Sequence, residues 1–328
     1  MTTRTPGAQL SEQVRAMAEA ARLAPSVHNT QPWRLRALAD GLAVHEDVDR
    51  ALPVLDPRGR LRTISCGAAV LNAVVALAAA GSTPRVEILP EGPDSTLLAV
   101  VRAGPAHPPS VDDLADAAAV PRRRTHRRVH SPEPVDSDVL GDLERSVARE
   151  GARLTVVDRP TRRAVARLLA RAVQTQAANG ELVGEIDAWI RHWGSGEEPV
   201  DGIPVGSLGT APYPVDSLVQ EQTDTGVVRA EEVEEVLDTS TLVAISTSGD
   251  RRRDWLVAGM ALERLLLRAT GAGLVATFAD QATQDPRTRQ ELAEVLDVLG
   301  FPQVVLRLGH PLVDVPPTPR RPLEELLT

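Results

Sequence analysis

The stretch Ala24-Pro25-Ser26-Val27-His28-Asn29-Thr30-Gln31-Pro32-Trp33 is the part of this chain from which the rest can be read. Pro25 stops the helix-like run over 9–23. Pro32 holds the chain extended ahead of the alternating run Arg34-Leu35-Arg36-Ala37-Leu38. Between the prolines lies a short loop filled with hydroxyl, imidazole and amide groups. A plain connector needs no such content, whereas loops held by rigid elements are where binding groups concentrate. Trp33 closes the stretch and reads either as a ligand-facing indole or as a helix–strand packing anchor.

Outward from the loop, the chain contains a weak internal repeat. Ile64-Ser-Cys-Gly67-Ala-Ala69-Val70 through Gly81 aligns with Leu256-Val-Ala-Gly259-Met-Ala261-Leu262 through Gly273 at an offset of 192 residues. Both segments are apolar nearly all round, which marks buried central helices. A glycine inside a helix costs about 1 kcal/mol against alanine, and close helix–helix approach would compensate. Gly81 and Gly273 read as C-terminal stops. Strand-like segments follow in the same order: Val86–Leu89 and Leu97–Val101 in the first half, Leu274–Thr277 and Val304–Leu308 in the second. Leu42–His45 and Leu242–Ser246 precede the two helices. The pattern predicts two α+β units, 1–105 and 115–328, joined by a Pro-rich linker at 106–114. Helices are expected over 136–149, 178–193 and 286–299. The Gly/Pro-rich segment 194–216 is long for a connection and reads as a lid or an insertion.

Composition narrows the chemistry. The chain has 328 residues, a net charge of −9 and one cysteine. An acidic balance argues against general nucleic-acid binding. No secretory leader and no apolar run of about 18 residues is evident, so the expectation is a cytoplasmic protein away from membranes. Cys66 lies in an apolar run without charged neighbours and reads as an inert buried thiol. There is no lysine, which excludes Schiff-base catalysis and a Walker phosphate loop. His126, His130 and His310 lack metal-ligand spacing, so no metal is expected. No Ser-His-Asp order stands out, and no GxGxxG follows a strand.

Two arginine runs remain. Arg122-Arg-Arg-Thr125-His-Arg-Arg128 opens the second half, and Pro317-Thr-Pro-Arg320-Arg321-Pro322 lies near the end. A charge run is usually a solvated face, but guanidiniums also bind phosphate bidentately.

Taken with these runs, the 24–33 loop resembles the APSxxNxQPW loop of the nitroreductase superfamily. Arg123, Arg124, Thr125 and Arg127 resemble its RRSxR motif, and Leu274–Ala279 resembles the strand and turn at the flavin edge. Arg320 and Arg321 resemble its C-terminal cations. The likeness spans nearly the whole chain and is strongest to the Acg-like branch, in which one chain carries two units. It implies a nitroreductase-like α+β fold, with two tandem degenerate units of central antiparallel or mixed sheets flanked by helices, paired as an intrachain pseudo-dimer. It also implies an FMN site formed by Pro25, Ser26, His28, Asn29, Gln31, Arg123, Arg124, Thr125, Arg127, Thr277, Phe278, Ala279, Arg320 and Arg321, with no catalytic acid or base assigned. The first half holds the loop and the second holds both arginine pieces, so one complete site per chain is expected between the halves.

The implied activity is hydride transfer from NAD(P)H through FMN to a nitroaromatic, quinone or other small acceptor, with the dinucleotide a transient visitor. The family lysine near the flavin pyrimidine has no counterpart here. Two other readings stand beside this one: a protein that stores or sequesters FMN under a lid, and a pathway-specific flavin dehydrogenase. The chain is expected to act as a monomer or a homodimer.

Overall fold

The structure is a computed structural model that describes residues 11–192, 199–207 and 229–328. The first half runs α1 (Glu12–Arg22), β1 (Trp33–Leu38), β2 (Gly41–Glu46), α2 (Arg60–Ala79), β3 (Ser82–Ile88), β4 (Leu97–Ala106) and α3 (Val111–Ala119). The second runs α4 (Ser137–Arg149), β5 (Arg153–Val156), α5 (Arg159–Ala177), α6 (Gly180–Asp187), β6 (Ile190–Arg191), β7 (Ile203–Pro204), α7 (Ala230–Asp238), β8 (Thr241–Thr247), α8 (Arg252–Gly271), β9 (Val275–Phe278), α9 (Gln281–Gln284), α10 (Pro286–Val295), β10 (Phe301–Gly309) and α11 (Leu323–Leu326).

The repeat seen in the sequence is a repeat of topology. The first sheet has the order β1-β2-β4-β3 and the second β5-β8-β10-β9, both antiparallel throughout. In each, the long apolar helix (α2 or α8) crosses between the second and third strands in sequence. The two helices pack on each other and on both cores. Arg60 and Arg252, again offset by 192 residues, reach in opposite directions from their N-terminal ends. Arg60 donates to Gln303 O and Thr283 O at 2.8 Å in the second half. Arg252 binds Glu46 and donates to Ser95 O at 2.6 Å in the first half. The chain is an α+β fold made of two such units.

Local chemistry moves several expected boundaries. The helix expected over 178–193 is interrupted, because Asn179 accepts hydrogen bonds from Glu181 N and Leu182 N and caps a new helix, α6, after α5 has ended. That helix stops at Asp187, short of Trp189, and Trp193 lies outside the described residues. The helix expected over 286–299 ends at Val295, and Asp297 turns left-handed at φ 49°. β4 extends to Ala106 and a Ser110–Asp113 capping box starts α3 at Val111, so only 107–110 connect them. Contrary to expectation, α2 is long and apolar enough to cross a membrane; 78% of that stretch is buried in the protein core. Of the expected lid, residues 194–198 and 208–216 lie outside the described residues, and 199–207 are described.

The tail after β10 returns to the first half. Leu327 bridges Leu35 on the edge strand β1, and Thr328 N donates to Leu35 O at 2.9 Å. This crossing brings Arg320 and Arg321 to the 24–33 loop.

Candidate functional site

The loop between Pro25 and Pro32 is held in a conformation it would not adopt alone. His28, Asn29 and Gln31 have φ of 46°, 54° and 49°. Each left-handed non-glycine residue costs about 1–3 kcal/mol unless its surroundings over-determine it. Here they do. Ser26 Oγ accepts from Gln31 N at 2.9 Å, and Val27 N donates to Ser65 Oγ on α2 at 3.1 Å. Asn29 Nδ2 donates to Gly202 O and Pro319 O, at 2.9 and 3.0 Å. Gln31 Nε2 donates to Val200 O at 2.9 Å, and its Oε1 accepts from Arg321 N at 2.8 Å.

The arginine run lies along the edge of β9. Thr125 bridges Ala276, and His126 N donates to Ala276 O at 2.9 Å. His130 Nε2 and Thr277 Oγ1 are 3.0 Å apart. A segment from one end of the second half is thereby laid beside its sheet, facing the loop of the first half.

Between them opens a cleft of about 1150 Å³, its mouth included. Pro25, Ser26 and His28 line it from the loop, Thr125 and Arg127 from the arginine run, and Phe278 from β9. A smaller cleft adjoins it, lined by Arg123, Arg124 and Arg320 and sharing Thr125 and Arg127 with the first. The pair has one apolar, roomy chamber and one cationic chamber.

Among the described residues, the cations here are only partly compensated. Arg127 Nη1 is buried and makes no hydrogen bond, and burial lowers the guanidinium pKa to about 10. Arg123 Nε lies 3.5 Å from the buried carboxylate of Glu263, and its Nε and Nη1 make no hydrogen bond. Arg320 donates to Asn29 Oδ1 and to the carbonyls of Leu23 and Ala24. Burial, then Arg123, lowers its pKa to about 9. Uncompensated buried charge is expensive, and an anion placed here would relieve it. His28 is held neutral: burial, then Arg127, lowers it to about 4, and its Nδ1 has no partner.

Five expected site residues line neither cleft. Asn29, Gln31 and Arg321 spend their groups on the bonds that fix the loop; Arg321 also faces Asp47 and Glu325. Thr277 is turned to His130, and Ala279 is buried with its N–H on Val305 O at 2.9 Å. Trp33 is fully buried in the first core and is a packing anchor. Cys66 is buried, donates to Pro32 O, and burial raises its pKa, as an inert thiol requires.

The sequence reading missed several polar residues that line the large cleft: Asp280, Gln281 and Gln284, with Gln176 from α5 and Ser65 from α2. Polar residues just past a buried strand were the available signal, but their facing depends on how α9 turns. Burial raises Asp280 to about 7, against a hydrogen bond from Val305 N and the charge of Arg60.

No family model matches the chain. A Mycobacterium tuberculosis H37Rv protein named as an NAD(P)H nitroreductase, Rv3131, is 34% identical over 100% of this chain and 93% of its own length. Acg of the same organism, likewise named as an NAD(P)H nitroreductase, is 31% identical over 96% and 95%. Among solved structures, a Bacteroides fragilis nitroreductase with bound FMN matches at TM-score 0.39 and 15% identity, covering 61% of this chain and 92% of that one.

Proposed function

The chain belongs to the nitroreductase family, in its Acg-like branch, and on that premise we propose that it is an FMN-dependent oxidoreductase that takes electrons from NAD(P)H and passes them to a small quinone or nitroaromatic acceptor. The observation that carries the flavin is the pair of adjoining clefts, with the unpartnered nitrogen of Arg127 on their common wall. A phosphate fits the cationic chamber, where Arg123, Arg124, Thr125, Arg127 and Arg320 would hold it. A planar ring fits the apolar chamber, against Phe278 and the Ser26–His28 turn. When bound, FMN would supply the hydride chemistry, while the protein orients it and excludes water.

The chain's own residues have definite tasks in that scheme. Ser65 and Ser26 fix the loop, the β9 bridge fixes the arginine run, and neutral His28 adds no charge beside Arg127. No single residue of this constellation would suffice, since it draws on both halves.

Anaerobic titration of the purified protein with NADPH, followed by flavin absorbance, tests the reading. Bleaching of a bound-flavin spectrum is the expected result. A protein that cannot be loaded with FMN would overturn it. A second reading, a closed flavin store, is favoured by one observation: residues 200–202 are tied to the loop through Gln31, Asn29 and Arg50. A yellow protein that bleaches with dithionite and not with NADPH would select that reading.

A further inference from the structure

We propose that Asp280 is the acid of the large cleft, giving its carboxyl proton to a quinone acceptor as the acceptor takes up a hydride. The inference rests on the proposed function and adds to it a residue in contact with the acceptor.

The placement comes first. Asp280 stands two residues past the end of β9, whose last residue, Phe278, also lines the cleft. Val305 N donates to its Oδ1 at 2.6 Å, which fixes the carboxyl plane from β10. The residue keeps part of its surface open on the cleft.

The chemistry needs such a group. A quinone that accepts a hydride becomes a hydroquinone monoanion. One proton on its oxygen completes the hydroquinone. The hydride, with both electrons, comes from reduced FMN under the proposed function; the proton comes from Asp280, and its carboxylate is reprotonated from water. General acid catalysis works best from a group that titrates near the working pH.

The other groups facing the cleft do not offer that proton. Its titratable lining among the described residues is His28, Arg127 and Asp280. His28 is neutral well into the acid range, and Arg127 keeps its proton throughout the physiological range. Asp280 alone exchanges protons near neutrality, because burial raises it to about 7. The cation that opposes this is Arg60 of α2, which is tied to Gln303 and Thr283. The remaining neighbours on the cleft wall, Gln281 and Gln284 of α9 and Gln176 of α5, are uncharged.

Asp280→Asn in the FMN-loaded full chain tests the proposal, since the amide oxygen can still accept from Val305 N. Stopped-flow oxidation of the reduced protein by a water-soluble benzoquinone should slow about 100-fold at pH 6 in the variant. The wild-type rate should fall as pH rises through about 7, and the variant's profile should be flat. Infrared titration of the protein without flavin gives an independent readout: a protonated-carboxyl band near neutrality that the wild type has and the variant lacks, beside the band of the buried Glu263, which both retain. An unchanged rate and pH profile in a variant that binds FMN normally overturns the role of Asp280 and leaves the flavin reading intact. Identical carboxyl bands in wild type and variant also overturn it. Failure of the wild type to bind FMN overturns the proposed function, and this inference with it.

Discussion

Gly67 and Gly259 meet at the crossing of α2 and α8, one from each half of the chain. A Cβ on either glycine would lie 2.9 Å from the Cα of the other. It would also strike a carbonyl of the facing helix, Leu256 O from Gly67 and Ile64 O from Gly259. The two residues that define the sequence repeat are therefore the contact on which the two units pivot.

Replacing either glycine with alanine should force the helices apart. Overpacking of a core costs about 1–3 kcal/mol and sometimes more. Here backbone must yield, so Gly67→Ala and Gly259→Ala are each expected to destabilise by at least about 2 kcal/mol. Denaturant unfolding would check this, and wild-type stability in both variants would contradict the contact.

Arg127 stands at the junction of the two clefts without an anion. Losing one charged hydrogen bond is worth about 1.5–3 kcal/mol, so Arg127→Gln should weaken FMN about 10- to 150-fold. Riboflavin, which lacks the phosphate, should be little affected. Equal losses for the two ligands in fluorescence titrations would place the phosphate elsewhere.

Glu263 lies fully buried on α8 beside Arg123. Burial, opposed by Arg123, raises its pKa from 4.5 to about 7. The folded state then holds a proton that the unfolded state has released, so this residue's contribution is complete below pH 4.5 and is lost as pH rises through 7. Glu263→Gln removes that loss. The stability of the variant relative to wild type should grow by roughly 3 kcal/mol between pH 4.5 and 7.5. A difference that does not change with pH, in unfolding curves across that range, would mean that Glu263 is ionised throughout.

Asp201 links the 199–207 segment to the first half. Its carboxylate binds Arg50 at 2.8 Å and Arg191 at 2.8 Å, and both guanidiniums lie over the Trp189 ring. Asp201→Asn should loosen this tie and speed FMN release about 10-fold, the effect of about 1.4 kcal/mol. Dissociation followed by flavin fluorescence would show it. Unchanged release would mean that the tie does not guard the cleft.

Much of this was legible before any coordinates. The 192-residue repeat and the strand segments could be read because buried helices and strands need continuous apolar runs, and such runs survive in the sequence. The loop was legible because Pro25 and Pro32 restrict the backbone whatever surrounds them. The sequence also showed the polar loop and the arginine runs as separate stretches of chain. Where a side chain's use depends on a distant partner, the sequence alone does not say. Asn29 and Gln31 look like ligand groups, yet their amides are consumed by Gly202, Pro319, Val200 and Arg321. Asp280 belongs to no motif that the sequence singles out, and it lines the cleft.

What the sequence by itself determined is the set of parts: two apolar helices with facing glycines, two strand sets, one rigid polar loop, two arginine runs and no lysine. These follow from local backbone limits and from hydrophobic periodicity, which act over a few residues. Only the tertiary structure decided which parts meet. The crossing of the tail onto β1 brings Arg320 to Leu23, and the bridge from Thr125 to Ala276 aims Arg127 at the loop. Those pairings join residues 297 and 151 positions apart in the chain. They are settled by the packing of the two units about Gly67 and Gly259, on which no local preference has any hold.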